Sequence, residues 1–380
     1  MKKRLFKGKL PFVEATSTLV GCVIGAGIFG IPYVIAQAGF AIGLLQIILL
    51  GIVILFLHLL IGEVCLRTKG IHMLTGYAEK YLGKPGKILL TFSMSFIIIG
   101  ALIAYTIGVG EALTAIFSGP SMLYSLLFFA FMAVLIFFGL RVIKGSEVFF
   151  SVIMLVLVII LMAFAISHMS ITNLTPLNLE KLKWFLPYGV ILFAFAGSTA
   201  IPEMKEEIRK NKKQLKKTII IGSLIPLILY AIFAFVVVSI TDMETTEVAT
   251  IGLGEKIGPY MVLLGNFFAI FAMATSFLVL GLALEWMLHY DYHIKRMVAW
   301  LLTCAVPLLL FLGGVRRFIT TIGVAGAVAG GIEGIVVVLM ARRAKKLGER
   351  KPEYSVKLPW FIMILLIMLF VCGIAYQFLL

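Results

Sequence analysis

The chain has 380 residues, 62% of them hydrophobic and 13% charged, with a mean hydropathy of +1.11, which excludes an ordinary water-soluble domain and makes the bilayer its solvent. The net charge of +15 would suggest nucleic acid in a soluble protein. Here the basic residues lie between apolar runs, where they set topology, so no nucleic-acid partner is expected. The runs are long and do not alternate apolar with polar, which points to an all-α integral membrane protein and away from a β-barrel.

In chain order, residues 1–11 are read as a basic cytoplasmic tail. The first apolar run, 12–38, is too long for the core of a signal peptide and is kept as a span. Further spans are expected at 41–65, 88–117, 122–140 and 148–168, with Thr75–Leu82 as a short interfacial helix before the third. The second set follows at 184–202, 218–240, 258–290, 297–313 and 318–341. An eleventh span, 358–379, comes after a basic loop in a closing segment, 342–380. With the N-terminus inside, 28 of the 33 Lys and Arg fall in cytoplasmic segments, and Lys181, Lys183, Lys256, Arg316 and Arg317 fall outside. That bias predicts a multi-pass plasma-membrane protein with a cytoplasmic N-terminus and an external C-terminus.

The first five spans run from 12 to 168 and the next five from 184 to 341. Five is odd, so the second set crosses in the opposite sense, the condition for an inverted repeat. The first span of each set carries the same interruption. Gly27 precedes Pro32 and Gly197 precedes Pro202 by five residues, each time with Ile before the Pro. Gly loosens a helix and Pro removes an N–H, so both helices are predicted to break mid-membrane. Freed N–H groups attract a carboxylate and freed C=O groups a cation, which together suit a zwitterion. Glycines in membrane helices also serve close packing, and that alternative stays open for each motif alone.

Four carboxylates fall inside spans: Glu63, Glu111, Glu285 and Glu333. Glu63, near Arg67, reads as an interfacial anchor and Glu285 as structural. Glu111 and Glu333 are the candidates for carrying a proton or forming a gate. In span eight Ala272, Thr275 and Ser276 share one helix face. Two hydroxyls so placed either offer oxygens to a hard cation or bond back to their own helix. Tyr105, Phe193 and Phe195 are candidates for lining a pocket or for packing. The five His form no ligand cluster, and Cys22, Cys65, Cys304 and Cys372 show no close pairing, so neither a metal site nor a disulfide framework is expected.

The motifs GAGIFGIP in span one and FAFAGSTAIPEMKEEI in span six resemble the amino acid/auxin permease family of the amino acid–polyamine–organocation superfamily. The resemblance covers nearly the whole chain. It implies the five-plus-five inverted-repeat fold of the bacterial leucine transporter with one extra C-terminal helix. It implies import of amino acids driven by a cation gradient. Gly25, Ala26, Gly27 and Ile28 would meet the substrate carboxylate, and carbonyls of Phe193, Ala194, Phe195, Ala196 and Gly197 its amino group. A sodium ion would sit among Gly21, Ile24, Ala272, Thr275 and Ser276. Span 148–168 has no Lys of the kind some proton-coupled relatives use, and Ile28 stands where the leucine transporter has an Asn for a second sodium.

The expected function is therefore sodium-coupled amino acid symport without enzyme activity or an organic cofactor. The alternative is proton coupling through Glu111 or Glu333. An intramembrane enzyme would need a convergent catalytic group of side chains, which the sequence does not offer. A non-transporting sensor on the same fold would need a long soluble extension.

Overall fold

The structure is a computed structural model that describes residues 10–139, 146–174 and 181–378. Most of the N-terminal tail, together with Arg141 and Lys144, lies outside the described residues. Every regular element among the described residues is helical. In lipid each segment must pair its own N–H and C=O groups, and a helix does so without partners.

The first half comprises α1 (Leu10–Val23), α2 (Gly27–Ala38), α3 (Phe40–Arg67), α4 (Leu74–Phe117), α5 (Ser121–Phe138) and α6 (Ser146–Ala165). The second comprises α7 (Pro187–Ala194), α8 (Ala200–Glu207), α9 (Leu215–Thr241), α10 (Ala249–Ile257), α11 (Pro259–Trp286), α12 (Arg296–Leu312), α13 (Phe318–Ala325) and α14 (Gly331–Leu347). The last helix is α15 (Trp360–Gln377). Among the described residues seven helices are long and apolar enough to cross a bilayer singly, and the pair α1 and α2, bent by 53°, makes an eighth if taken as one span. The other three expected spans correspond to shorter apolar helices at Leu155–His168, Lys183–Ala194 and Arg296–Leu312.

Lipid-facing side chains are large and apolar, as a hydrocarbon solvent demands. Leu123, Leu127, Phe131, Val134 and Phe138 form such a face on α5, and Trp360, Phe361, Leu365 and Met368 form another on α15. The interior packs through small residues. A Cβ on Gly326 would lie 1.9 Å from the Gly189 carbonyl oxygen and 2.6 Å from the Phe193 amide, so α7 meets the π-helical stretch Gly326–Gly330 backbone to backbone.

The segment Thr75–Leu82 forms a short helix, as expected, set off from the third span by the non-helical Gly83 with φ +74° ahead of Pro85. Two boundaries differ from expectation. Arg342, Arg343, Lys345 and Lys346 were expected in a loop but ride on the last turns of α14. Ala, Arg and Lys favour helix, and cations suit a helix C-terminus. The acidic segment 241–255 contains most of the short helix α10, which buries Ala249, Gly252 and Leu253.

One end of the molecule gathers the basic segments 67–72, 205–214 and 342–357. Glu63, 2% exposed, accepts from Arg67 Nε at 2.8 Å, Lys345 Nζ at 2.9 Å, Ser355 Oγ at 2.9 Å and the Val356 amide at 2.7 Å. The expected interfacial anchor is thus a buried clamp joining α3, α14 and the linker to α15. Nearby, Lys80 and the Lys69 amide hold the Glu349 carboxyl below the usual carboxylate range. At the opposite end Glu247 accepts from the Ile319 amide at 2.9 Å, at the start of α13.

Candidate functional site

Both expected helix breaks are present. The first, residues 24–26, separates α1 from α2, and the second, residues 195–199, separates α7 from α8. The breaks face each other. A Cβ on Gly27 would lie 2.4 Å from Cα and Cβ of Ala194, and one on Gly197 would lie 2.4 Å from Val23 Cγ2. Only glycine permits such approach, so the sequence that loosens each helix also lets the two loosened points meet. Cys22 Sγ and Thr199 Oγ1, 3.7 Å apart, link the same two regions.

Between the breaks lies a cavity of about 80 Å³. Its polar floor is backbone and small side chains: Gly25, Ala26 and Gly27 from the first break, and Ala196, Gly197, Ser198 and Thr199 from the second. Met94, Ile97, Ile98 and Ala101 of α4, Leu280 of α11 and Phe193 form an apolar wall. Tyr105 completes the α4 side. A Cβ on Gly25 would lie 3.3 Å from Tyr105 Oη and 3.5 Å from Ser276 Oγ, so two hydroxyls converge on the first break. Glu333 of α14 supplies the one carboxylate of the lining, which Ser198 shares.

The first amides of α2 lack acceptors within their own helix and carry the positive end of its dipole. Carbonyls at the C-terminal ends of α1 and α7 carry the negative ends. The cavity therefore offers amide donors, carbonyl acceptors and an apolar wall within one small volume. That combination suits a small zwitterion with an apolar body.

Of the nine residues expected to meet substrate, Gly25, Ala26, Gly27, Phe193, Ala196 and Gly197 line the cavity. Ile28 is fully buried outside the lining. Ala194 packs against Gly27, and Phe195 turns away to meet the Tyr230 ring with centroids 5.2 Å apart. Of the five residues expected around sodium, Ser276 is set against the first break. Thr275 Oγ1 donates within its own helix, with the Phe271 and Ala272 carbonyl oxygens both at 3.0 Å. Gly21 and Ile24 flank the end of α1, and Ala272 is fully buried on α11. Glu111 is not part of the cavity lining and interacts with Glu247. Glu285 is paired with Arg296 Nε at 3.1 Å, in keeping with a structural role.

Two features were not foreseen. Ser198, Thr199 and Cys22 join the lining, although their small polar side chains beside each Gly were a visible signal. Tyr230 of α9 places its hydroxyl 2.8 Å from the Val23 carbonyl oxygen and 3.1 Å from that of Ala194. Its signal was a single phenol in an apolar span, four residues after Pro226.

A sequence profile of the tryptophan/tyrosine permease family matches residues 9–377. The chain is 28% identical over 327 residues to Glutamine transporter 2 of Aliivibrio fischeri, covering 82% of this chain and 83% of that protein. It is 26% identical over 385 residues to Tyrosine-specific transport system 1 of Haemophilus influenzae, covering 95% and 94%. Its fold is similar to that of Mhp1, a nucleobase-cation-symport-1 family transporter solved in a closed conformation with bromovinylhydantoin bound. The TM-score is 0.65 at 14% identity, over 97% of this chain and 90% of that one.

Proposed function

The chain belongs to the tryptophan/tyrosine permease family, a family of amino acid transporters, and we propose that it imports a neutral amino acid by sodium symport across the plasma membrane. Its family and relatives are permeases and transporters, so it is not an enzyme. The kind of protein agrees with the resemblance carried by GAGIFGIP and FAFAGSTAIPEMKEEI.

The observation that carries the proposal is the cavity enclosed by the two helix breaks. The substrate carboxylate meets the amides of Gly25, Ala26 and Gly27, the residues of the first break that line the cavity. Its ammonium meets carbonyls between Phe193 and Gly197. The side chain lies against Met94, Ile97, Ile98 and Ala101, a wall that favours an apolar or aromatic body. Relatives named for tyrosine and for glutamine make these two, with tryptophan, the first substrates to try.

Sodium would bind where α11 meets the first break, among Gly21, Ile24, Ala272, Thr275 and Ser276. The convergence of Ser276 on Gly25 supports this placement. An ion there favours the state in which span one and α11 are close, and substrate then biases closure, a population shift by differential binding. Units 12–168 and 184–341 would move against each other about the cavity, with the basic end cytoplasmic.

A second reading is favoured by one observation. Glu333 lies in the cavity beside Ser198, so a proton carried there would sit next to substrate. Glu111 lies outside the cavity lining, so a proton carried there would not sit next to substrate. Purified protein in liposomes separates the readings. Labelled tyrosine, tryptophan and glutamine are offered with an inward sodium gradient or an inward proton gradient. Accumulation with sodium alone supports the α11 site. Accumulation with protons alone rejects it in favour of Glu333.

A further inference from the structure

We propose that Tyr230 is a positioning residue for the substrate, its hydroxyl tying the carbonyl ends of the two broken helices into one preformed pocket; this rests on reading the cavity between the breaks as the substrate site. The residue stands on α9, outside both broken spans, and is fully buried. Its Oη is 2.8 Å from the carbonyl oxygen of Val23, the last residue of α1. It is 3.1 Å from the carbonyl oxygen of Ala194, the last residue of α7.

These are carbonyls that a helix break leaves without an amide partner, and in a membrane interior each needs a donor. A phenol has one proton. At these distances it is shared between two acceptors of the same polarity, which would otherwise repel. Tyr230 therefore holds α1 and α7 at a fixed separation by an attraction to both. Gly27 packs on Ala194 and Gly197 on Val23, so this separation also sets the spacing between the amide side and the carbonyl side of the cavity. The ring is anchored independently of the hydroxyl by its tilted contact with Phe195, centroids 5.2 Å apart and planes at 58°.

The test is tyrosine and glutamine uptake by purified protein in liposomes, comparing wild type, Tyr230→Phe and a chain carrying 4-aminophenylalanine at 230. The Phe variant keeps the ring and its contact with Phe195 and loses only the donor. KM is expected to rise about five- to tenfold with the maximal rate retained, the scale of one buried neutral hydrogen bond. The amino variant, which restores an N–H donor, is expected to recover most of the affinity. An unchanged KM in Tyr230→Phe overturns the proposal. So does a fall in maximal rate that the amino variant does not repair, which marks a merely structural residue. Gly25→Val, which fills the cavity, is run in parallel. Abolished uptake there with an unchanged KM in Tyr230→Phe rejects the Tyr230 role alone. Intact uptake in Gly25→Val rejects the cavity as the substrate site and this inference with it.

Discussion

Gly25 and Gly27 lie two residues apart at the first break, yet the same substitution is expected to act on them very differently. At Gly27 a Cβ would sit 2.4 Å from Cα and Cβ of Ala194 and 3.1 Å from its nitrogen. Carbon atoms pack at about 3.5–4.0 Å, so Gly27→Ala is short of room by about 1 Å. The obstacle is backbone and a methyl, which have no rotamer to offer. At Gly25 the nearest atoms are Tyr105 Oη at 3.3 Å and Ser276 Oγ at 3.5 Å, both on side chains that can yield. Overpacking costs about 1–3 kcal/mol. Replacing Gly by Ala in a helix returns up to about 1 kcal/mol, less at the first residue of α2. The net for Gly27→Ala is a loss of about 1–2 kcal/mol, concentrated where the two broken helices touch. Gly25→Ala comes out near zero in stability. Thermal unfolding in detergent and liposome uptake read the two effects. Gly27→Ala is expected to melt earlier and to raise KM by about fivefold or more, and Gly25→Ala to melt like the wild type. Equal melting and equal KM for Gly27→Ala and wild type would refute the close approach of the breaks.

Other substitutions separate the roles of neighbouring side chains. Ser276→Ala is expected to weaken sodium activation of uptake more than Thr275→Ala, because the Ser276 hydroxyl is the one set against the first break; equal sodium curves for both variants and wild type would sink the ion site. Glu333→Gln is expected to retain sodium-driven accumulation with a modest change in KM, and loss of gradient-driven uptake with exchange preserved would transfer the coupling role to Glu333. Glu63→Ala leaves the Val356 amide without its acceptor and removes the ion pairs to Arg67 and Lys345 at the basic end. A loss of about 2–3 kcal/mol is expected there, read as a lower thermal midpoint with KM unchanged.

The helical class, the positions of the spans and both breaks were legible because each rests on local chemistry. A long apolar run specifies a membrane helix, and Gly five residues before Pro specifies where it fails. The cavity was partly legible for the same reason, since a break must face a ligand or a partner. What could not be read was direction. Phe193 and Phe195 are two residues apart on the edge of one break, and only the geometry of the last turn decides that Phe193 lines the cavity while Phe195 packs at a tilt against Tyr230. Tyr230 itself lies far along the chain from Val23, and nothing local marks a phenol as the donor to a distant backbone. Glu333 is similar. Its place in the lining depends on the π-helical stretch Gly326–Gly330, which changes the facing of the residues that follow it. The buried clamp at Glu63 escaped notice because Lys345 and Val356 are almost 300 residues away. By contrast, the pairing of Glu63 with Arg67 follows from one turn of helix.

The central claim is that substrate occupies the space between the two breaks, and Cys22 offers a direct probe. It lines that cavity and is exposed, whereas Cys65 and Cys304 are buried. With the other exposed thiol removed by Cys372→Ser, the rate of Cys22 alkylation by a small thiol reagent is measured in liposomes with and without the amino acid that the uptake assay identifies. At ten times the dissociation constant only about a tenth of the sites are free, so labelling is expected to slow about tenfold. An unchanged rate in a variant that still transports would contradict the placement of substrate between the helix breaks.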